Sequence, residues 1–199
     1  MRNKKILLSM ALAAILLQSP VYAQSDRKTT NINRGWLFLQ GEASSSITSE
    51  KAKADGWKEV NLPHDFQIEQ PWVAPAADEK ANTSDAGANI KSRLSARGFK
   101  EMGSGWYVRS FTPSTDDKGK RISIDFQGIM YLGDVYLNGE KIGGTDYGYV
   151  GFEIDITDKL RYGEENTIAV YSNTAQPRDS RWYTGGGLFR NVKVTFTDS

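Results

Sequence analysis

Alternation is the feature that limits this chain most. Ile122, Ile124 and Phe126 alternate with Ser123, Asp125 and Gln127, and Phe152, Ile154 and Ile156 alternate with Glu153, Asp155 and Thr157. Ile168 and Val170 repeat the spacing, as do Val192, Val194 and Phe196. Side chains two apart share one face of a strand, so each run is a strand with one buried face. Trp106 to Phe111 reads as a further strand, ended by Pro113. Many short strands of this kind must bury their apolar faces against one another, which predicts an all-β fold, a sandwich or a jelly roll.

The turns agree with the strands. Asn138-Gly139 sits between the apolar flanks Val135-Tyr136-Leu137 and Ile142. Asn and Gly tolerate the positive φ of a type I′ turn, so a tight hairpin is expected. Lys118-Gly119 and Tyr162-Gly163 punctuate other connections. Two segments lack a period. Ser25 to Thr30 reads as a loose polar leader, and Ala74 to Lys100 as a long loop, with Ala88 to Arg97 able to form a short helix. A loop of that length is usually functional or mobile.

The N-terminus reads as targeting rather than fold. Arg2, Lys4 and Lys5 precede the apolar run Ile6 to Leu17, and Val21-Tyr22-Ala23 offers small side chains at the two positions a signal peptidase reads. The run is shorter than the roughly 20 residues of a membrane span, so a signal peptide over 1–23 and export to the periplasm or medium are expected. The organisation is then 1–23 signal, 24–32 leader, and 33–199 one sandwich domain. Cleavage after Ala23 leaves 22 Lys and Arg against 24 Asp and Glu, a net charge of −2. With no basic block, nucleic acid is a poor partner. There is no cysteine and one histidine, His64, which excludes disulfides and makes a structural zinc site untenable. No cofactor or metal is expected, and no membrane partner.

Three groups of residues carry chemistry. Five tryptophans (Trp36, Trp57, Trp72, Trp106 and Trp182) stand among nine tyrosines. Exposed tryptophan offers a flat apolar face to a sugar ring; Trp36 and Trp106, inside apolar runs, are packing residues. In Leu62-Pro63-His64-Asp65-Phe66, an ionised Asp65 can accept hydrogen bonds from adjacent sugar hydroxyls, or can cap a turn through its own backbone. His64 reads as a packed, hydrogen-bonded side chain before a catalytic one. In Ser180-Arg181-Trp182-Tyr183-Thr184-Gly185-Gly186-Gly187-Leu188-Phe189-Arg190, three glycines allow close approach of backbone or ligand. Arg181 and Trp182 can hold a hydroxylated or anionic ligand there. The stretch can equally bridge to a neighbouring domain, or Arg181 can pair with Asp179.

Taken together, the motifs resemble the N-terminal sugar-binding domain of glycoside hydrolase family 2, the β-galactosidase and β-glucuronidase family. The matching stretches run in order: Gly35-Trp36-Leu37-Phe38, Leu62 to Phe66, Gly105-Trp106-Tyr107-Val108-Arg109, Val135 to Gly139, Phe152 to Asp158, Asn166 to Val170, and Ser180 to Arg190. The likeness is greatest to the exported bacterial β-galactosidase branch. It implies a jelly-roll β-sandwich, galactose-binding-like in fold, that reaches the rim of an active site housed mainly in a separate barrel. It also implies that Asp65 contacts the sugar of the terminal subsite, with Arg181 and Trp182 beside it. In some members an acidic residue stands where Arg181 stands here.

Retaining members cut glycosides with two glutamates about 5 Å apart. In the family these lie in a barrel that alone needs about 250 residues, so this chain is expected to lack both and to be inactive alone. Three readings follow: one part of a glycosidase for β-linked sugars, galactosides first, whose partners are its missing catalytic domains; a free-standing carbohydrate-binding module; or a structural fragment with an exposed apolar patch where other domains would dock.

Overall fold

The computed structural model describes residues 27–73, 100–175 and 185–198. Among these residues ten strands form two antiparallel sheets. They are β1 (Lys28–Asn31), β2 (Trp36–Gln40), β3 (Lys58–Val60), β4 (Ser104–Phe111), β5 (Arg121–Phe126), β6 (Leu132–Leu137), β7 (Glu140–Thr145), β8 (Phe152–Asp155), β9 (Asn166–Asn173) and β10 (Val192–Thr197). One sheet has the order β1-β10-β5-β8, and the other β3-β2-β4-β9-β6-β7. This is the all-β sandwich that the alternation predicts.

Register sets the core. In the four-stranded sheet Thr30, Val194, Ile124 and Ile154 are cross-strand partners in one row. In the six-stranded sheet Phe38, Tyr107, Val170 and Val135 form the facing kind of row. Both rows contribute to one apolar cluster between the sheets, with Trp36, Phe66, Ile122, Phe126, Ile168 and Leu188 fully buried in it. Shifting any of these strands by one residue would turn its apolar set outward, so burial fixes the pairing.

The outer face of the six-stranded sheet carries a second, smaller cluster. Leu37, Trp106, Val108 and Ala169 face outward there, beneath Ala52 and Trp57. Ala52 is the buried residue of α1 (Ser49–Ala54), a short helix whose N-cap Thr48 accepts a hydrogen bond from the Lys51 amide. The helix has too few residues to show a 3.6 period, and the sequence reading does not anticipate it. Covering both faces explains why β4 and β9 lose their alternation and bury runs of consecutive residues.

The expected hairpin joins β6 to β7, with Asn138 at φ 52° and Gly139 at φ 88°. The leader expectation needs correction. Lys28–Asn31 is not loose: it is the edge strand β1, paired residue by residue with β10. Its exposed polar side chains mimic a linker, while its backbone completes the ladder that Val192–Thr197 leaves open. The expected signal, the long loop from Ala74 and the Ala88–Arg97 helix lie outside the described residues.

Candidate functional site

One end of the sandwich gathers the sequence motifs. After β3 the chain runs through Leu62, Pro63 and His64 to Asp65, which caps a 3₁₀ turn over Phe66–Glu69. The Asp65 Oδ1 atom accepts from the Gln67 amide at 2.9 Å, the turn-capping alternative read from the sequence. The same oxygen accepts from the Gly186 amide at 2.8 Å, across 121 residues of sequence. On either side the main chains meet as well: His64 N–H donates to Leu188 C=O at 2.8 Å, and Phe66 N–H donates to Gly186 C=O at 3.1 Å. The segment Gly185–Leu188 therefore lies alongside His64–Phe66 like an added strand. Its other edge pairs with Met130, whose N–H and C=O both bond Gly187.

That double pairing explains the glycines. At Gly187, φ is +103° and a Cβ would stand 2.1 Å from the Tyr107 hydroxyl oxygen. At Gly185, φ is +68° and a Cβ would stand 2.4 Å from Asp65 Oδ2. No other residue type fits either position, so the run of glycine is what lets the chain approach the Asp65 carboxylate this closely. Asp65 itself is half-buried, and Pro63 beside it is exposed.

His64 is a packing residue with a polar tie. Its ring lies 5.0 Å from Phe38 and 5.6 Å from Tyr107, and Nδ1 is 2.8 Å from the Tyr107 hydroxyl. Nε2 is buried and without a hydrogen-bond partner, 4.0 Å from Glu69 Oε1. Burial lowers the His64 pKa below the ordinary histidine value, against the pull of the Glu69 carboxylate. Burial also pushes the Tyr107 phenol well up. At neutral pH His64 is therefore neutral and the Tyr107 phenol protonated. Both hold the Asp65 stretch in place.

Around this end several large apolar side chains are exposed. Ile68 and Trp72 are exposed on one side, Trp72 by 71 %, and Tyr147, Tyr149 and Val150 on the other. Lys100 Nζ sits 4.1 Å over the Trp72 ring and donates to the Gln70 and Ile68 carbonyls. Arg190 donates to the Tyr149 and Gln127 carbonyls, which ties the Tyr147–Val150 loop to the segment after Leu188. Of the sequence-predicted site residues, Asp65 is in this cluster, and Arg181 and Trp182 lie outside the described residues. Trp36 and Trp106 are buried, as their apolar runs predict, and so is Trp57. Among the described residues no group of His, Cys, Asp and Glu is arranged to hold a metal. The sequence reading missed Tyr107 and Met130, which fix the glycine segment from behind; both sit in apolar runs that give no sign of it.

Comparison with known proteins points one way. The family model described as glycosyl hydrolase 2 galactose-binding domain-like matches residues 95–185. The chain is 32% identical over 173 residues to the β-galactosidase BoGH2A of Bacteroides ovatus, covering 87% of this chain and 18% of that protein. It is 30% identical over 186 residues to a putative β-glucuronidase of Formosa agariphila, covering 93% of this chain and 16% of that protein. The crystal structure of a glycosyl hydrolase family 2 member from Bacteroides cellulosilyticus superposes with a TM-score of 0.67 at 33% identity, over 86% of this chain and 21% of that one. The chain thus spans about a fifth of the length of these proteins.

Proposed function

The chain belongs to the galactose-binding-like domains of glycosyl hydrolase family 2, and from that premise we propose that it forms part of the terminal-sugar subsite of an exported glycosidase of the β-galactosidase type. The observation that carries this reading is the bond between Asp65 and Gly186. It draws together the two stretches that the family resemblance assigns to a sugar. One Asp65 oxygen is committed to two backbone donors, which fixes the plane of the carboxylate in advance. A preoriented carboxylate accepts sugar hydroxyls with little loss of side-chain freedom.

In this reading Asp65 accepts from the terminal sugar, Arg181 donates to it, and Trp182 forms a wall. The chemistry is done elsewhere in this reading, by the two glutamates that the family resemblance places in a separate barrel. Sugar contacts held here, away from the bond being cut, orient the ring for that chemistry. The signal over 1–23 would place the enzyme in the periplasm or outside the cell.

A self-sufficient binding module is the second reading. The exposed Ile68, Trp72, Tyr147, Tyr149 and Val150 weigh against it, because apolar side chains beside a polar site favour a surface completed by another domain. The test is a titration of the chain with galactose and lactose, read by amide chemical shifts, with Asp65→Asn plus Arg181→Ala as the control. Saturable shifts at Gln67 and Gly186 in the chain alone that vanish in the control would favour the self-sufficient module, and loss of lactose cleavage on the double substitution in the chain joined to its barrel, without such shifts, supports the shared subsite. A folded chain joined to its barrel that cleaves lactose equally well with and without the double substitution would sink it.

A further inference from the structure

A second polar cleft lies on the outer face of the six-stranded sheet, beyond the part that α1 covers. It has a volume of about 540 Å³, and Asp134, Lys141, Thr145, Tyr171 and Asn173 line it. We propose that this cleft is a further carbohydrate contact, for a neutral pyranose stacked on Tyr171 and hydrogen-bonded by Asp134 and Asn173. The proposal rests on the reading of the chain as a sugar-contacting domain.

Register builds the cleft. Trp106, Tyr171, Asp134 and Gly144 are cross-strand partners in one outward-facing row across β4, β9, β6 and β7. Gly144 ends the row with no side chain, and none is possible: a Cβ there would stand 2.3 Å from the Gly133 carbonyl oxygen and 3.1 Å from Asp134 Oδ1. The gap beside Asp134 is therefore fixed by backbone.

The aromatic wall is equally fixed. The Trp106 ring backs Tyr171 at 5.0 Å and Tyr136 at 5.6 Å. The Tyr171 hydroxyl receives the Asn173 amide at 3.2 Å and lies 3.3 Å from Glu42 Oε1. Asp134 holds the Lys141 ammonium at 2.7 Å and is hydrogen-bonded to Tyr136. A half-exposed ring, a carboxylate, an ammonium, an amide and a hydroxyl thus face one concave space of monosaccharide or disaccharide size. That combination offers an apolar face to sugar C–H groups and acceptors and donors to its hydroxyls. Asp134 and Asp146 outnumber Lys141 in the lining, and Glu42 stands behind Tyr171. A neutral hexose suits this charge; a uronic acid does not. Asn173 leads through Thr174 to the segment opposite Gly186, so the cleft opens at the same end of the sandwich as Asp65 but on the outer face.

The test is a titration of the full chain with lactose, galactose and glucuronic acid, followed at each amide. Lactose should move Gly133, Asp134, Gly144 and Asn173 with saturation in the range of about 1–10 mM, and glucuronic acid should bind at least about fivefold more weakly. The near-isosteric Asp134→Asn should weaken lactose at least about fivefold. Tyr171→Phe keeps the ring and should stay within about twofold to threefold of the parent, while Tyr171→Ala should abolish the response. Shifts confined to Gln67 and Gly186 would leave the terminal subsite standing and overturn this cleft. Shifts confined to the cleft would do the reverse. Cleft amides unmoved at about 50 mM lactose, or moved equally in Asp134→Asn, would also overturn it.

Discussion

Gly187 stands where any Cβ would come within 2.1 Å of the Tyr107 hydroxyl oxygen. Tyr107 is fully buried, and its ring is held by Phe38 and His64, so it has nowhere to retreat. Gly187→Ala should therefore cost both left-handed strain of about 1–2 kcal/mol and an overpacking term of about 1–3 kcal/mol. Gly35→Ala is the control. Its φ is +73°, yet a Cβ there meets nothing within 4 Å, so only the strain applies. Thermal melts of the two variants should differ clearly, with Gly187→Ala the lower. Equal midpoints would mean that the glycine segment does not pack on Tyr107 in solution.

Asp65 should matter to stability before any sugar is added. Asp65→Ala strands the Gly186 and Gln67 amides, whose shared acceptor is Oδ1. Leaving donors unsatisfied costs about 1–3 kcal/mol, more where water cannot replace the lost oxygen. Asp65→Asn keeps one acceptor oxygen and should recover at least half of that loss. Denaturant unfolding of the three proteins reads this directly. If Asn behaves like Ala, the charge rather than the oxygen holds the lock.

The sandwich was legible because its signal is local. Ile122, Ile124 and Phe126 declare their shared face within six residues, and they are buried together. The hairpin at Asn138-Gly139 is equally local. What was hidden depends on distant partners. Lys28–Asn31 reads as polar leader because its side chains are polar and exposed, while its place in the sheet is set by backbone pairing with a distant strand. Trp106-Tyr107-Val108 does not reveal which side chain faces the inner core and which the outer cluster, since both are dry. Asp65 was open between cap and sugar acceptor for a related reason. The residue type permits both, and its bond to Gly186 is set by topology rather than by neighbouring sequence.

Asn138 closes the β6–β7 hairpin with more than its backbone. Its Oδ1 accepts from the Thr167 amide at 3.0 Å, and its Nδ2 donates to Asn166 Oδ1 at 3.0 Å. Asn138→Ala loses both bonds and places a residue less tolerant of positive φ at 52°. A loss of about 2–4 kcal/mol is expected from two hydrogen bonds and left-handed strain. Asn138→Gly relieves the strain and should cost less than Asn138→Ala. Hydrogen exchange should report the loss first in β7, an edge strand with one partner. Uniform exchange across the sheet would show that the turn does not hold β7 in register.

His64 makes the domain less stable in acid, and its being the only histidine makes this easy to see. Its Nε2 is buried without a hydrogen-bond partner, and burial is the main cause of a pKa lowered from 6.5. Glu69 and Asp65 oppose that shift, and Lys58 adds to it. Because the folded value lies below the unfolded one, the unfolded chain takes up the proton first as pH falls. Stability is then full above about pH 6.5 and is lost progressively as pH drops through the folded pKa. One histidine resonance should titrate below pH 6.5. His64→Gln retains a side-chain oxygen to accept from the Tyr107 hydroxyl without a titratable ring. It should lose less of its stability than the parent between pH 7 and about pH 5, both proteins sharing the same carboxylate titrations. A histidine that titrates above 6.5 would mean that Glu69 outweighs burial and that protonation of His64 is favourable in the folded state, and parallel stability curves for the two proteins would mean that the two effects cancel; either would overturn the prediction.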